Sequence, residues 1–325
     1  MRSTNPGFVP DSPFTRELTA KQLAFFSAFP KAELHCHLLG TTSRETFIDL
    51  VRDSDAPISM AEIEGFYTRG EKPVGVLRIF RALESSILKK PGLIEGEEKY
   101  GIVGRLVPSI DREALPEDAV ELVREMTAHR SPWVIGLGID YRETLHEPEN
   151  FWKAYRLARD AGFKLTAHAG EFGEHWRNVE TAMDLLECER IDHGYTITDN
   201  PELAERAADR GIPFAVVPTN SYYLRTFTDE EWAVKHPIRR MVELGLKVFP
   251  NSDDPTMHHI SISEGWLLMM NWLGFSLADL RGFLANSIDA AWVDDETKIV
   301  WRQLWLPEFD RLAREAFGAD CLPAA

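Results

Sequence analysis

Cysteine is scarce in this chain: Cys36, Cys188 and Cys321 are the only three in 325 residues. Odd in number and widely spaced, they exclude a disulfide framework and point to a reducing compartment. Long apolar runs are also missing. The richest stretch, Trp266 to Phe275, falls far below a membrane span, and Met1 to Pro13 has no apolar h-region, so a cytoplasmic chain with no membrane partner is expected. Positive charge is in deficit, with 36 Lys+Arg against 52 Asp+Glu. The resulting net charge of -16 repels polyphosphate backbones and excludes nucleic acid as an expected partner. It weakly disfavours multiply charged nucleotides too, and a neutral small molecule fits better. There is no Gly-rich dinucleotide fingerprint, internal repeat or low-complexity linker.

What is present is a strand-then-helix alternation. With 44% hydrophobic residues, 325 residues suffice for one large core, and residues 1–325 read as a single domain with a loose extension over residues 1–20. Strands are predicted at Ala32–Leu38, Gly104–Ile110, Trp133–Ile139, Lys164–His168, Arg190–Tyr195, Ile212–Val217 and Lys247–Asn251. Between them, Phe151–Ala161, Val179–Glu187 and Pro201–Arg210 carry apolar residues at helical spacing, as do Ala20–Ser27 and Val74–Leu88 outside that series. Polar residues gather just past the strand ends. The predicted fold is therefore α/β, a TIM-type (β/α)8 barrel, with an open doubly wound sheet as the alternative. One strand is not visible. A closed barrel lacking it would expose two unpaired edges.

Four clusters could carry chemistry. In Glu33-Leu34-His35-Cys36-His37-Leu38, residues two apart share a strand face, so His35 and His37 can present both imidazoles to one point. Taken alone, such a pair is as often a satisfied pair in a half-buried strand. Thr166-Ala167-His168-Ala169-Gly170-Glu171 ends another strand, offering His168 as a third ligand and Glu171 as a general acid/base. A first-turn carboxylate favoured by a helix dipole is the plainer account of Glu171. His193, in Arg190-Ile191-Asp192-His193-Gly194-Tyr195, could polarise water or be a hydrogen-bonded structural histidine. Last, Asn251-Ser252-Asp253-Asp254-Pro255 sets two carboxylates side by side, which calls for a cation on one and a donor on the other unless the segment is a plain turn. Together these N/O donors suit Zn²⁺ or a similar divalent ion.

In this order the four motifs, with Phe29-Pro30-Lys31-Ala32 before the first and Asn286-Ser287 and Asp294–Lys298 after the last, resemble the adenosine deaminase family of the amidohydrolase superfamily. The resemblance implies that His35, His37, His168 and Asp253 hold one metal, normally Zn²⁺, whose activated water attacks C6 of a 6-aminopurine. It further implies that Glu171 protonates ring N1, that His193 orients the nucleophile, and that Asp254 hydrogen-bonds the N7 side. The catalytic set implied is thus Glu171, His193 and Asp254, the partner a small-molecule purine, and the reaction hydrolytic release of ammonia. Oligomeric state is not legible.

The chain departs from the family pattern in its substrate-facing positions and between Pro91 and Gly92, where the resemblance implies a βα unit of ~30 residues or more, holding the second barrel strand, that the sequence does not show. Where an acidic residue usually follows the first His pair and contacts the ribose, this chain has Leu39. Ile139-Asp140-Tyr141-Arg142-Glu143 is bulkier than usual and brings Tyr141 toward the purine edge, so Leu39 and Tyr141 join Asp254 as expected substrate contacts. Pro218 to Arg225 departs from the common Ser-Asn order, and His236-Pro237-Ile238-Arg239-Arg240 resembles the adenine deaminase branch. Two other readings stay open: the same metal site acting on a different amine, amide or ester, and a catalytically silent purine-binding protein.

Overall fold

The computed structural model describes residues 9–52, 58–67, 102–144, 147–256 and 258–323. Among them six short strands, β1 (Ser109–Asp111), β2 (Gly136–Asp140), β3 (Lys164–Ala169), β4 (Arg190–His193), β5 (Pro213–Val216) and β6 (Lys247–Pro250), pair in parallel and in sequence order. Ala169 stands opposite His193, and Val216 opposite Pro250. All of β4, and all of β3 after Lys164, are buried, as expected of a parallel sheet covered by helices. Beyond β6 the chain meets its own beginning. Cys36 bridges Asp253 in parallel, with His37 N donating to Asp253 O at 2.8 Å and Asp253 N to His35 O at 3.2 Å.

A doubly wound sheet reverses its strand order at a switch point, whereas here the order runs on without reversal and the first segment returns to the last strand. The fold is a TIM-type barrel. Helices Trp152–Asp160, Arg177–Asp184 and Pro201–Asp209 connect successive strands where helical spacing predicts them. Their starts follow local chemistry: Asn200 caps the third, accepting from Leu203 N at 3.1 Å, with Pro201 in the first turn. The C-terminal helix pair runs over Leu277–Ala290 and Asp295–Phe317.

Four local expectations are corrected. Of the strand predicted over Gly104–Ile110 only an isolated bridge from Leu106 to Val134 and the first two residues of β1 form. Ala32–Leu38 forms one bridge instead of a strand, because the Asn251 side chain takes the place of a strand carbonyl: its Oδ1 accepts from Leu34 N at 2.8 Å and His35 N at 3.1 Å. The strand predicted over Arg190–Tyr195 stops at His193, where positive φ angles at His193 (69°) and Gly194 (76°) turn the chain out of the sheet. Residues 9–19 are docked, not loose. Ser12 Oγ donates to Trp272 O at 2.6 Å, Arg16 N to Asn271 Oδ1 at 3.3 Å, and Val9 is buried. Val74–Leu88 and the Pro91/Gly92 junction lie outside the described residues.

Candidate active site and metal cluster

The C-terminal ends of parallel barrel strands point to one mouth, so residues that end different strands are brought together by closure alone. Here β3 delivers His168, β4 ends on His193, the turn after β6 supplies Asp253 and Asp254, and the bridge at Cys36 sets His35 and His37 alongside. His35 Nε2 and His37 Nε2 lie 3.2 and 3.1 Å from the same oxygen, Asp253 Oδ1. The His35 and His168 rings are 4.6 Å apart, and each is 4.7 Å from His193. Donor atoms of His35, His37 and His168 lie within 4.8 Å of one another, as do those of His35, His193 and Asp253, and of His168, Glu171 and His193.

His193 thus belongs to the same cluster as the three imidazoles that the sequence sets apart as ligands, and distance alone does not divide them. All of these residues are buried except His37 and Glu171, which are half-buried.

The backbone is unusual at the same place. Among the described residues five non-glycine positions have positive φ, and three of them, Tyr141, His193 and Asp253, sit at strand ends around the mouth. Such conformations persist only where surroundings enforce them, and they concentrate at functional sites. Gly40 is required by packing. A Cβ there would land on Asp254 Oδ1 and 2.6 Å from Asp254 Cα. Gly40→Ala is therefore expected to displace Asp254 and to cost about 1–3 kcal/mol of stability by overpacking; a parent-like denaturation midpoint would show that the turn relaxes around the added methyl group.

Electrostatics divide the cluster into unlike halves. Burial opposes charge on both imidazoles, but Asp253 with Asp192 outweighs it at His35, and Asp254 with Asp253 and Asp140 outweighs it at His37, so both are pushed up. Burial would also raise Asp253, yet His35 and His37 hold it well below the usual carboxylate range. Its neighbour goes the other way: burial and the adjacent Asp253 charge push Asp254 up. Burial likewise keeps His168 and His193 neutral and raises the Glu171 carboxyl far above its ordinary value.

The donor set fits a divalent cation. Neither nitrogen of His35 nor Nε2 of His193 makes a hydrogen bond of normal geometry, although all are buried. Buried polar atoms rarely stay unpaired in this way. Positive charge is drawn to Asp253 from several sides, and one divalent ion answers that demand with fewer desolvated protons than two imidazolium rings.

Of the remaining predicted residues, Glu171 is at the cluster, with Oε2 3.5 Å from His193 Nε2 and 3.7 Å from His168 Nδ1. Tyr141 is buried just past β2, next to Asp140, whose Oδ2 lies 3.7 Å from His37 Nδ1. Leu39 begins the short 3-10 turn Leu39–Thr41, and its side chain lies outside what the structure describes. Residues without a role in the sequence reading also stand here. Asn220 Nδ2 donates to Glu171 Oε1 at 3.3 Å, Arg112 is fully buried and donates to His168 O, and Glu143 binds the loop that carries Glu171. The available signal was position, since each is a polar residue within a few positions of a strand end.

Known proteins agree with this architecture. The adenosine deaminase family model matches residues 85–303. The adenine deaminase of Rhizobium meliloti (strain 1021) is 29% identical over 313 residues, covering 82% of this chain and 95% of the relative. Since 313 positions exceed 82% of 325 residues, that alignment includes positions with no counterpart here. An amidohydrolase from Burkhoderia ambifaria solved with bound Zn is 49% identical with a TM-score of 0.91, covering 96% of this chain and 99% of that one. The adenine deaminase of Arthrobacter aurescens, at 24% identity and a TM-score of 0.75 over 87% of this chain and all of that one, shares the barrel fold. With two thirds of its length under the family model, and with the four motifs meeting at one barrel mouth, the chain belongs to the adenosine deaminase family.

Proposed function

We propose that the protein is a hydrolytic deaminase of adenine or a close 6-aminopurine, which with water yields the 6-oxopurine and ammonia. The observation that carries this reading is the convergence of His35, His37, His168 and Asp253 beside Glu171, whose carboxyl lies 3.7 Å from His168 and 3.5 Å from His193. His35, His37, His168 and Asp253 would hold the metal, and Zn²⁺ is the ion assigned, in keeping with three imidazoles and one carboxylate and with the relative solved with Zn. Bound there, the ion supplies the Lewis acidity that makes water a nucleophile near neutral pH.

The chain's own residues do the rest. Glu171, raised by burial, donates its proton to ring N1 as water adds at C6, which relieves the negative charge that would otherwise build on the ring. His193, neutral and 3.5 Å from Glu171, accepts a hydrogen bond from the incoming water and orients it. Asp254, pushed up to about 8 by burial and by the adjacent Asp253, is the hydrogen-bond donor to N7. Of the two protons that the added water gives up, one returns to the Glu171 carboxylate and one goes to the amino group, so ammonia leaves, the oxygen stays on C6 and Glu171 is restored.

Adenine is preferred over adenosine because Leu39 stands where a ribose-binding carboxylate is usual, and because the full-length relatives are named adenine deaminases. The test is ammonia release by the Zn-loaded protein from adenine, adenosine and N6-substituted adenines. Adenine is expected to exceed adenosine by about 100-fold or more in kcat/KM. Equal rates would overturn the base preference, and no release from any 6-aminopurine would overturn the deaminase reading.

A further inference from the structure

Glu143 lies outside the donor cluster, yet it is 2% exposed and its carboxylate is surrounded by donors. Its Oε1 accepts from Gly170 N at 2.6 Å and from Asn178 Nδ2 at 2.9 Å. Its Oε2 accepts from Glu171 N at 2.8 Å and from Phe172 N at 3.4 Å. Three consecutive backbone N–H groups therefore converge on one side chain that reaches across from the end of β2. Burying a carboxylate is costly unless it is fully hydrogen-bonded, and bonds to an ionised acceptor are the stronger kind.

The loop it grips has little freedom elsewhere. Gly170 is at φ 70°, and a Cβ there would meet Thr196 Oγ1 at 2.5 Å and Val179 Cγ2 at 2.9 Å. At the other end of Glu171, Asn220 Nδ2 holds Oε1, leaving Oε2 facing His193 and His168.

We infer that Glu143 is a positioning residue for the catalytic acid: by binding the amides of Gly170, Glu171 and Phe172 it fixes the loop from which the Glu171 carboxyl reaches the purine. The role assigned to Glu171 rests on the deaminase reading; the clamp on the loop does not. A general acid must stay within hydrogen-bond reach of the atom it protonates, so a shift of about 1 Å in that loop is worth about 100-fold in rate. Ground-state binding of the purine, made by other residues, would be little altered.

Glu143→Gln keeps the shape but sets an NH₂ group against backbone N–H donors. With the Zn-loaded protein and adenine, kcat is expected to fall about 100-fold. KM should change by less than about threefold and zinc stoichiometry should stay at one. Independently of turnover, hydrogen exchange in a peptide spanning residues 169–173 should quicken about tenfold or more. Unchanged kcat, or unchanged exchange, would overturn the inference. So would a loss of kcat that tracks lost zinc, because the clamp would then serve the metal cluster and not the acid. If the Gln variant fails to fold, Glu143→Asp, which keeps the charge on a shorter arm, carries the same comparison. Should the parent protein deaminate no aminopurine, the deaminase reading fails while the exchange measurement still decides whether Glu143 holds the loop.

Discussion

Glu171→Gln is expected to lower kcat on adenine by about 10²–10⁴-fold with bound metal unchanged. The carboxyl is enclosed by His168, His193 and Asn220, and burial with the nearby Asp253 and Glu143 charges raises it well above its ordinary value. A carboxylic acid of this kind is both a hydrogen-bond donor and a proton source. Gln preserves the first property and removes the second, so substrate should still bind while chemistry slows. Measuring kcat, KM and metal content together separates the roles. A Gln variant within threefold of the parent in kcat would remove Glu171 from the mechanism, and one that loses metal would make it a ligand.

Asp253 should give the second large effect, divided between metal and backbone. Its Oδ1 is the common neighbour of His35 and His37, and its φ of 63° lies in the left-handed region that Asn and Asp tolerate better than other non-glycine residues. Asp253→Asn keeps that backbone preference and the size of the side chain but removes the charge. It should lose most of its metal and activity with little change in folding. Asp253→Ala should lose the same function and in addition about 1–2 kcal/mol of stability, the cost of a left-handed alanine. Metal analysis and thermal unfolding of both apoproteins test this. If the two variants retain metal at the parent stoichiometry, Asp253 is not a ligand.

Much of the barrel was legible because its signals are local. The helix start at Pro201 and the buried runs of β3 and β4 are written within a few residues of where they act. The segment Ala32–Leu38 shows where that reading stops. Its composition is that of a strand, but its partner is the Asn251 side chain, more than two hundred residues away in sequence, and no periodicity reports such a substitution. Likewise the strand expected through Tyr195 ends at His193, because Gly194 must pass against Phe214 of β5.

By itself the sequence determined which donors exist and which strand ends carry them: the spacing of His35 and His37, the single histidines at 168 and 193, the carboxylate pair at 253 and 254. Only the tertiary structure decided that these ends meet, that His193 joins the same cluster, and that Glu143 reaches from β2 to the loop of Glu171. The reason is physical. Residue type and alternation are fixed along the chain, whereas convergence depends on the order in which parallel strands close and on left-handed backbone turns at their ends, both set by packing between segments far apart in sequence.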